Sequence, residues 1–389
     1  MSAFFLDWRR GAWREVRRIA ASRFLFWAVG PAPVLMFLLL VAIFQRQTMR
    51  ELPVALVDQD RSALSAQLAR MLDASSGLDV RYRMADPAEA ESLVRRGLIY
   101  GYIVIPRGME STVLRGEQAV VAGFHNAAFL SVGGIVSREF RTVVTTLSYG
   151  VKQQRMARLG VTAAPLEPVR VQSSALYNPQ LNYAYFLLVA LLPAMLQIFI
   201  ALTAVEAVGA ELRWSTAADW LQTSGGRLGV ALAAKLAPYL VIYLTTAGLM
   251  LTILFRLVEI PLRGSLWPIA AGTLLLVAAY LGLGVLLVAL TANLRMATSL
   301  AAFVTGPALA YMGISFPQMA MPAFGQFWGN LLPVTHYMRL LIGQGIRGEP
   351  SAAALPELGV LLAFAAATLG FALLRLRTAA RDRRYWGRT

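Results

Sequence analysis

Cysteine is absent from all 389 residues, which excludes disulfides and thiolate metal sites, so a domain outside the cytoplasm must fold on its own core. Histidine occurs only at His125 and His336, leaving a metal centre or a catalytic triad few players. His125 follows an expected strand and reads as a surface or packing residue, and His336 reads as helix-end structure. Charged residues are scarce as well, at 15% against roughly 25% in a soluble domain. The signatures G-x-x-x-x-G-K-[ST], H-E-x-x-H and G-x-S-x-G are all missing. No catalytic, cofactor-binding or metal-ligating residue is therefore assigned, and no cofactor is expected.

What the chain has in abundance is apolar residues, 57% of the total. Uncharged apolar runs of the length that crosses ~30 Å of hydrocarbon fall near 24 to 44, 185 to 205, 236 to 255, 266 to 290, 297 to 316 and 358 to 374. The first is too long for a signal-peptide core, and Gln45-Arg46-Gln47 is no cleavage site. Gly30-Pro31 and Gly306-Pro307 should bend the first and fifth runs, and Ala278-x-x-x-Gly282 with Gly284 permits close helix packing. Within these limits no crossing holds an Asp, Glu, Lys or Arg, so the driving force for any transport is expected to come from elsewhere.

The net charge of +15 reads as topology rather than as affinity for nucleic acid. Arg9, Arg10, Arg14, Arg17, Arg18 and Arg23 precede the first run, and Arg375, Arg377, Arg381, Arg383, Arg384 and Arg388 follow the last. Basic short ends stay inside, so both termini are expected in the cytoplasm, as an even number of crossings requires. In residues 1 to 23, Phe5, Trp8, Ala12, Val16 and Ile19 fall on one side of a helical wheel and Arg10, Arg14 and Arg17 opposite, which predicts a helix lying on membrane lipid.

Residues 45 to 184 alternate between strand and helix patterns. Strands are expected at Val54 to Val57, Leu78 to Met84, Gly101 to Pro106 and Ala119 to Phe124; helices at Ser62 to Leu72, Pro87 to Arg96, Met109 to Leu114 and Leu130 to Leu159. This is a small α/β domain with partly parallel strands, and Pro165, Pro168 and Pro179 mark an extended return path. Between 316 and 346 the chain is too broken to span and too apolar for a solvated loop, which predicts an outer re-entrant segment within a five-helix membrane domain at 185–376. A basic tail, 377–389, closes the chain. The fold class is thus an α-helical polytopic membrane protein of six transmembrane helices with an inserted α/β extracytoplasmic domain.

Four stretches, in order, carry a family resemblance: Leu52-Pro53-Val54-Ala55-Leu56-Val57-Asp58-Gln59-Asp60; Gly97-Leu98-Ile99-Tyr100-Gly101-Tyr102-Ile103-Val104-Ile105-Pro106; Tyr177-Asn178-Pro179 with Asn182-Tyr183; and Leu332-Pro333-Val334-Thr335-His336-Tyr337. The chain resembles, over nearly its whole length, the permease subunits of type 2 ABC exporters with a large external domain between the first two membrane helices. The resemblance implies a bacterial inner-membrane permease that moves a hydrophobic or amphipathic substrate outward. Its partners would be a separate ATP-binding subunit, a second permease copy in a homo- or heterodimer, and a periplasmic adaptor. It also implies that the connector after the second crossing couples to the ATPase. There the family reads Glu-Arg-Gly-Thr and this chain reads Glu211-Leu212-Arg213-Trp214-Ser215-Thr216, keeping Glu211, Arg213 and Thr216 but not the glycine. The competing class is an envelope sensor or scaffold whose external domain binds a ligand and which has no ATPase partner.

Overall fold

The arginine-rich N-terminus winds into α1 (Ser2–Ala21). Its protein-facing side is Gly11, Glu15 and Ile19, whereas Phe4, Phe5, Trp13 and Val16 are exposed. The expected lipid-facing stripe is therefore displaced around the helix: Ile19 is buried and Arg14, expected to face away, is drawn into the protein, because buried carboxylates wait there for it. The Ser22 side chain accepts from the Leu25 amide and opens α2 (Arg23–Val29). Gly30 separates α2 from α3 (Pro31–Phe44), and the two axes meet at 42°. Proline lacks an N–H and clashes with the preceding turn, so the bend falls where the sequence put it.

The computed structural model describes residues 2–44, 51–126, 130–158 and 183–387. The prolines of the return path and Tyr177-Asn178-Pro179 lie outside them. The chain divides into two compact units, Thr48–Ser174 and the remainder, Met1–Gln47 with Ala175–Thr389.

Unit Thr48–Ser174 holds β1 (Leu52–Asp58), α4 (Ala63–Asp73), β2 (Leu78–Met84), α5 (Pro87–Arg95), β3 (Gly101–Ile105), α6 (Met109–Arg115), β4 (Ala122–His125) and α7 (Leu130–Arg158). The sheet order is β2-β1-β3-β4, with β1 parallel to both β2 and β3, and β4 antiparallel to β3. β1 is central and buried on both faces. Val54 and Leu56 pack with Leu68 and Leu72 of α4 and Val136 and Phe140 of α7; Ala55 and Val57 pack with Ala90 and Leu93 of α5. The Asp58-Gln59-Asp60 end of the first family-like stretch is a structural knot. Asp58 Oδ1 accepts from the amides of Asp60 and Arg61, Asp58 Oδ2 from Ser65 Oγ at 2.8 Å, and Asp60 Oδ2 from Ser62 Oγ at 2.6 Å and the Glu110 amide at 3.0 Å. It ties the ends of β1, α4 and α6 together.

The other unit continues with α8 (Tyr183–Arg213), α9 (Ala217–Thr223), α10 (Leu228–Thr252), α11 (Leu266–Thr291), α12 (Leu294–Thr305), α13 (Ala308–Tyr311), α14 (Ala323–Asn330), α15 (Pro333–Ile342) and α16 (Leu355–Ala379). Four helical stretches of 26 to 30 residues are apolar enough to cross a membrane, Tyr185–Arg213, Leu228–Leu257, Leu266–Thr291 and Ser351–Ala379, and the bent pair α2–α3 makes up to five. α11 is the central column, flanked by α8, α10, α12, α15 and α16. Its small residues set the spacing. A Cβ on Gly284 would lie 2.6 Å from Ala204 Cβ and 2.7 Å from the Ala201 carbonyl, and one on Gly282 would lie 3.0 Å from the Leu369 side chain.

Two expectations change. The run at 297 to 316 is not one long helix: the chain turns at Gly306-Pro307, leaving α12 and α13 with 12 and 4 residues, so the count of six long crossings is not reproduced. The long helices also run past the uncharged limits drawn for them. α8 includes Glu206 and Glu211, α10 includes Lys235 and α16 includes Glu357. Glu211, Lys235 and Glu357 each meet an ion-pair partner there.

Candidate functional site

The richest concentration of charge lies where α1, the C-terminal end of α8, α9 and the N-terminal end of α10 meet. Lys235 is buried to 1% exposure on the second turn of α10. Its Nζ donates to Glu15 Oε2 at 2.5 Å and Glu211 Oε1 at 2.8 Å, so one ammonium is shared by two buried carboxylates. Arg14 forks onto the same Glu211, Nη1 to Oε1 at 2.7 Å and Nη2 to Oε2 at 3.1 Å. That hydrogen-bonded carboxylate holds the Arg14 guanidinium above its ordinary pKa. Arg18 donates to Glu15 Oε1 at 3.1 Å and to the carbonyls of Ala207 and Glu206 on α8. Tyr239 Oη donates to Glu15 Oε1 at 2.9 Å, and the Trp220 ring of α9 lies 5.3 Å from Lys235 Nζ.

The arrangement is possible because α1 comes very close. A Cβ on Gly11 would sit 2.6 Å from Ser224 Oγ and 2.9 Å from Ala234 Cβ. Three cations and two carboxylates share the cluster; Glu15 Oε2 accepts from Lys235 alone, and the other three carboxylate oxygens accept from two donors each. A charge taken out of water costs several kcal/mol unless it is paired and hydrogen-bonded, so this network holds together only while all four helices are in register. At the same end the tail returns to α8, where the Gly387 amide donates to the Leu212 carbonyl.

Of the three expected site residues, the structure brings two together. Thr216 Oγ1 donates to Glu211 Oε2 at 2.5 Å, closing the α8–α9 turn on the network. Arg213 points elsewhere and stacks on the exposed Trp214 ring, 4.9 Å from its centroid. Ser215, in the place of the missing glycine, takes φ +59°, the left-handed conformation that glycine adopts freely, so the turn persists without the residue. Glu15, Lys235 and Tyr239 escaped sequence reasoning. A signal was there: Lys235 is one of only two lysines, set alone in an apolar run, and Glu15 stands among arginines one helical turn apart.

A second polar group gathers at the opposite end of the bundle. His336 Nδ1 lies 2.6 Å from Glu357 Oε2 and its Nε2 2.9 Å from the Asn330 carbonyl, so His336 joins α15 to both α14 and α16. Among the described residues no group of three His, Cys, Asp or Glu gathers as a metal site.

Several long apolar helices tied at one end by a buried ionic network define an integral membrane protein. Residues 22–374 match the family model of the ABC-2 family transporter proteins, and the chain belongs to that family. It is a membrane permease component of an ABC transporter, a class that works with an ATP-binding subunit and is not itself the ATPase. No curated protein matches the chain closely enough to count as a relative.

Proposed function

We propose that this permease is half of an exporter, with the end carrying both termini in the cytoplasm, and that the Glu15–Lys235–Glu211 network passes the motion of the ATP-binding subunits to the membrane helices. The observation that carries this reading is the sharing of Lys235 between Glu15 on α1 and Glu211 on α8. A push on α1 or on α9 cannot move one helix alone without leaving a charge unpaired in a buried site. Glu211 and Thr216 belong to that block, and Arg213, half-buried beside it against the Trp214 ring, would meet the partner surface.

Six crossings fit the geometry better than five. α1 and the tail meet at one end, since Arg14 reaches Glu211 and Gly387 reaches Leu212 on the last turn of α8. α11 ends there too, while α16 starts at the other end. The broken segment from α12 to α15 therefore supplies the sixth passage. The unit at 48–174 then lies outside the cytoplasm, where it caps the pathway or meets an adaptor. The substrate is hydrophobic or amphipathic, and a second copy of the permease, identical or related, completes the pathway in the bacterial inner membrane.

The test is ATPase coupling. The tagged chain, purified in mild detergent from its native membrane, is expected to bring a near-stoichiometric ATP-binding protein. In the reconstituted complex, Glu211→Gln with Thr216→Ala is expected to uncouple ATP hydrolysis from transport. An intact substrate-stimulated ATPase in that variant would remove the network from the coupling path.

A further inference from the structure

At the end of the bundle away from the ionic network, a cavity of about 610 Å³ opens between the loop after α13, α14, α15 and the start of α16. Its size is that of small-molecule sites, ~300–1,000 Å³. Its charge is balanced. Arg339 Nη1 pairs with Glu357 Oε1 at 3.4 Å and Arg347 Nη2 with Glu349 Oε1 at 2.6 Å, two cations and two carboxylates on the walls. An anion would have to displace a carboxylate from each arginine, and a cation would have to displace a guanidinium from each glutamate. A neutral group with many hydroxyls displaces neither: a hydroxyl donates to a carboxylate and accepts from a guanidinium at once.

The rest of the lining suits the same chemistry. Gln318 is held by Arg339 and Asn330, which fixes that wall. Among the described residues, the Asn330 Nδ2 donor and the Gln326 Oε1 acceptor make no hydrogen bond, although Asn330 Oδ1 accepts from Arg339 at 2.7 Å and Gln326 Nε2 donates to the Met321 carbonyl at 2.9 Å. They are a donor and an acceptor held by their own partner atoms and left open to a ligand. Met312, Met319 and Met338 supply apolar surface for the C–H face of a ring. Met319, on the lining, is exposed to 88%, and gives an attached alkyl chain somewhere to lie.

We infer that this cavity binds a neutral polyhydroxylated group, such as a sugar, either free or as the headgroup of an uncharged lipid. The site is separate from the coupling network and goes beyond the transport reading, which names no such ligand.

The test uses the full chain in phosphatidylcholine nanodiscs, because glucoside and maltoside detergents carry the very chemistry in question. Maltose is titrated by calorimetry, and a glucosyl-diacylglycerol is introduced at increasing mole fraction and followed by native mass spectrometry. Saturable maltose binding identifies a free sugar as sufficient; selective retention of the glycolipid without a maltose response identifies a lipid headgroup. Both support the site, and failure of both overturns it. Gln326→Leu with Asn330→Leu is expected to weaken binding about tenfold. Ala353→Trp, built on the exposed rim, is expected to obstruct the cavity and weaken binding while leaving its hydrogen bonds intact. Unchanged affinity in both variants would place the ligand elsewhere.

Discussion

Lys235 decides more at the cytoplasm-assigned end than any other single side chain, because two buried carboxylates on different helices depend on its proton-bearing nitrogen. Replacing it with methionine keeps the volume and removes the charge. Breaking a buried ionic group in this way costs on the order of 3–5 kcal/mol, so Lys235→Met is expected to lower the thermal midpoint of the purified protein sharply, and adding Glu15→Gln to restore part of it. If the double variant melts below the single one, the carboxylate is not the source of the loss. Ser215 poses the opposite case. At φ +59° a serine is strained where glycine is not, so Ser215→Gly should raise stability by up to about 1 kcal/mol, less the entropy glycine adds to the unfolded chain, and Ser215→Val should lower it. Thermal melts of the two variants moving the same way would contradict the assignment. The glycine missing from the family-like connector was legible in the sequence; that serine would adopt the glycine's conformation was not, since φ is set by the turn that Glu211 and Thr216 close.

Among elements, α1 shows how local pattern and tertiary packing diverge. The wheel separates apolar from basic residues, yet the packed side is set by Gly11, where α1 comes closest to Ser224 and Ala234, and by Glu15, whose partners Lys235 and Tyr239 lie more than 200 residues away in sequence. Gly11→Val is expected to lift α1 from the bundle and speed tryptic cleavage at Arg14, Arg17 and Arg18, with α8–α16 left protected; an unaltered cleavage rate would mean that the helix docks without the close approach. The α/β unit was far more legible, because each of its strands and helices carries its own period, whereas the order β2-β1-β3-β4 was not, since it is set by which helices cover which face. The charged ends of α8, α10 and α16 were not, because an uncharged-run criterion stops at the first ionisable residue, whether or not a partner meets it. In the α/β unit, burial disfavours the ionised Asp60, but hydrogen bonds from Ser62 and the amides of Glu110, Gly108 and Met109 outweigh it and hold its pKa below the ordinary 3.8. A depressed carboxyl contributes its stability above its unfolded pKa and loses it as pH falls through the native value. Amide exchange at Glu110 is therefore expected to stay slow down to about pH 4 and to accelerate below it, and to be fast at all pH in Asp60→Asn if the charge itself holds the loop.

For the whole molecule the parity of crossings governs everything that follows. Five crossings would set α1 and the tail on opposite faces, and they meet at one end of the bundle. With six, in the orientation proposed above, that end would face an ATP-binding partner and the cavity beside Arg339 would face out. The absence of cysteine makes this measurable without a background, since each introduced thiol is the only one in the chain. Four exposed positions decide it: Arg381 in the tail, Met296 at the start of α12, Met319 beside the cavity and Glu117 in the α/β unit. A membrane-impermeant maleimide on intact cells is expected to label Met319→Cys and Glu117→Cys, and to reach Arg381→Cys and Met296→Cys only after the membrane is opened. Labelling of Met296→Cys and Met319→Cys from the same face would mean that the broken segment does not cross, which would remove the sixth passage. Labelling of Arg381→Cys on intact cells would turn the whole bundle over, put the Lys235 network outside, and leave an ATP-binding subunit nothing to push.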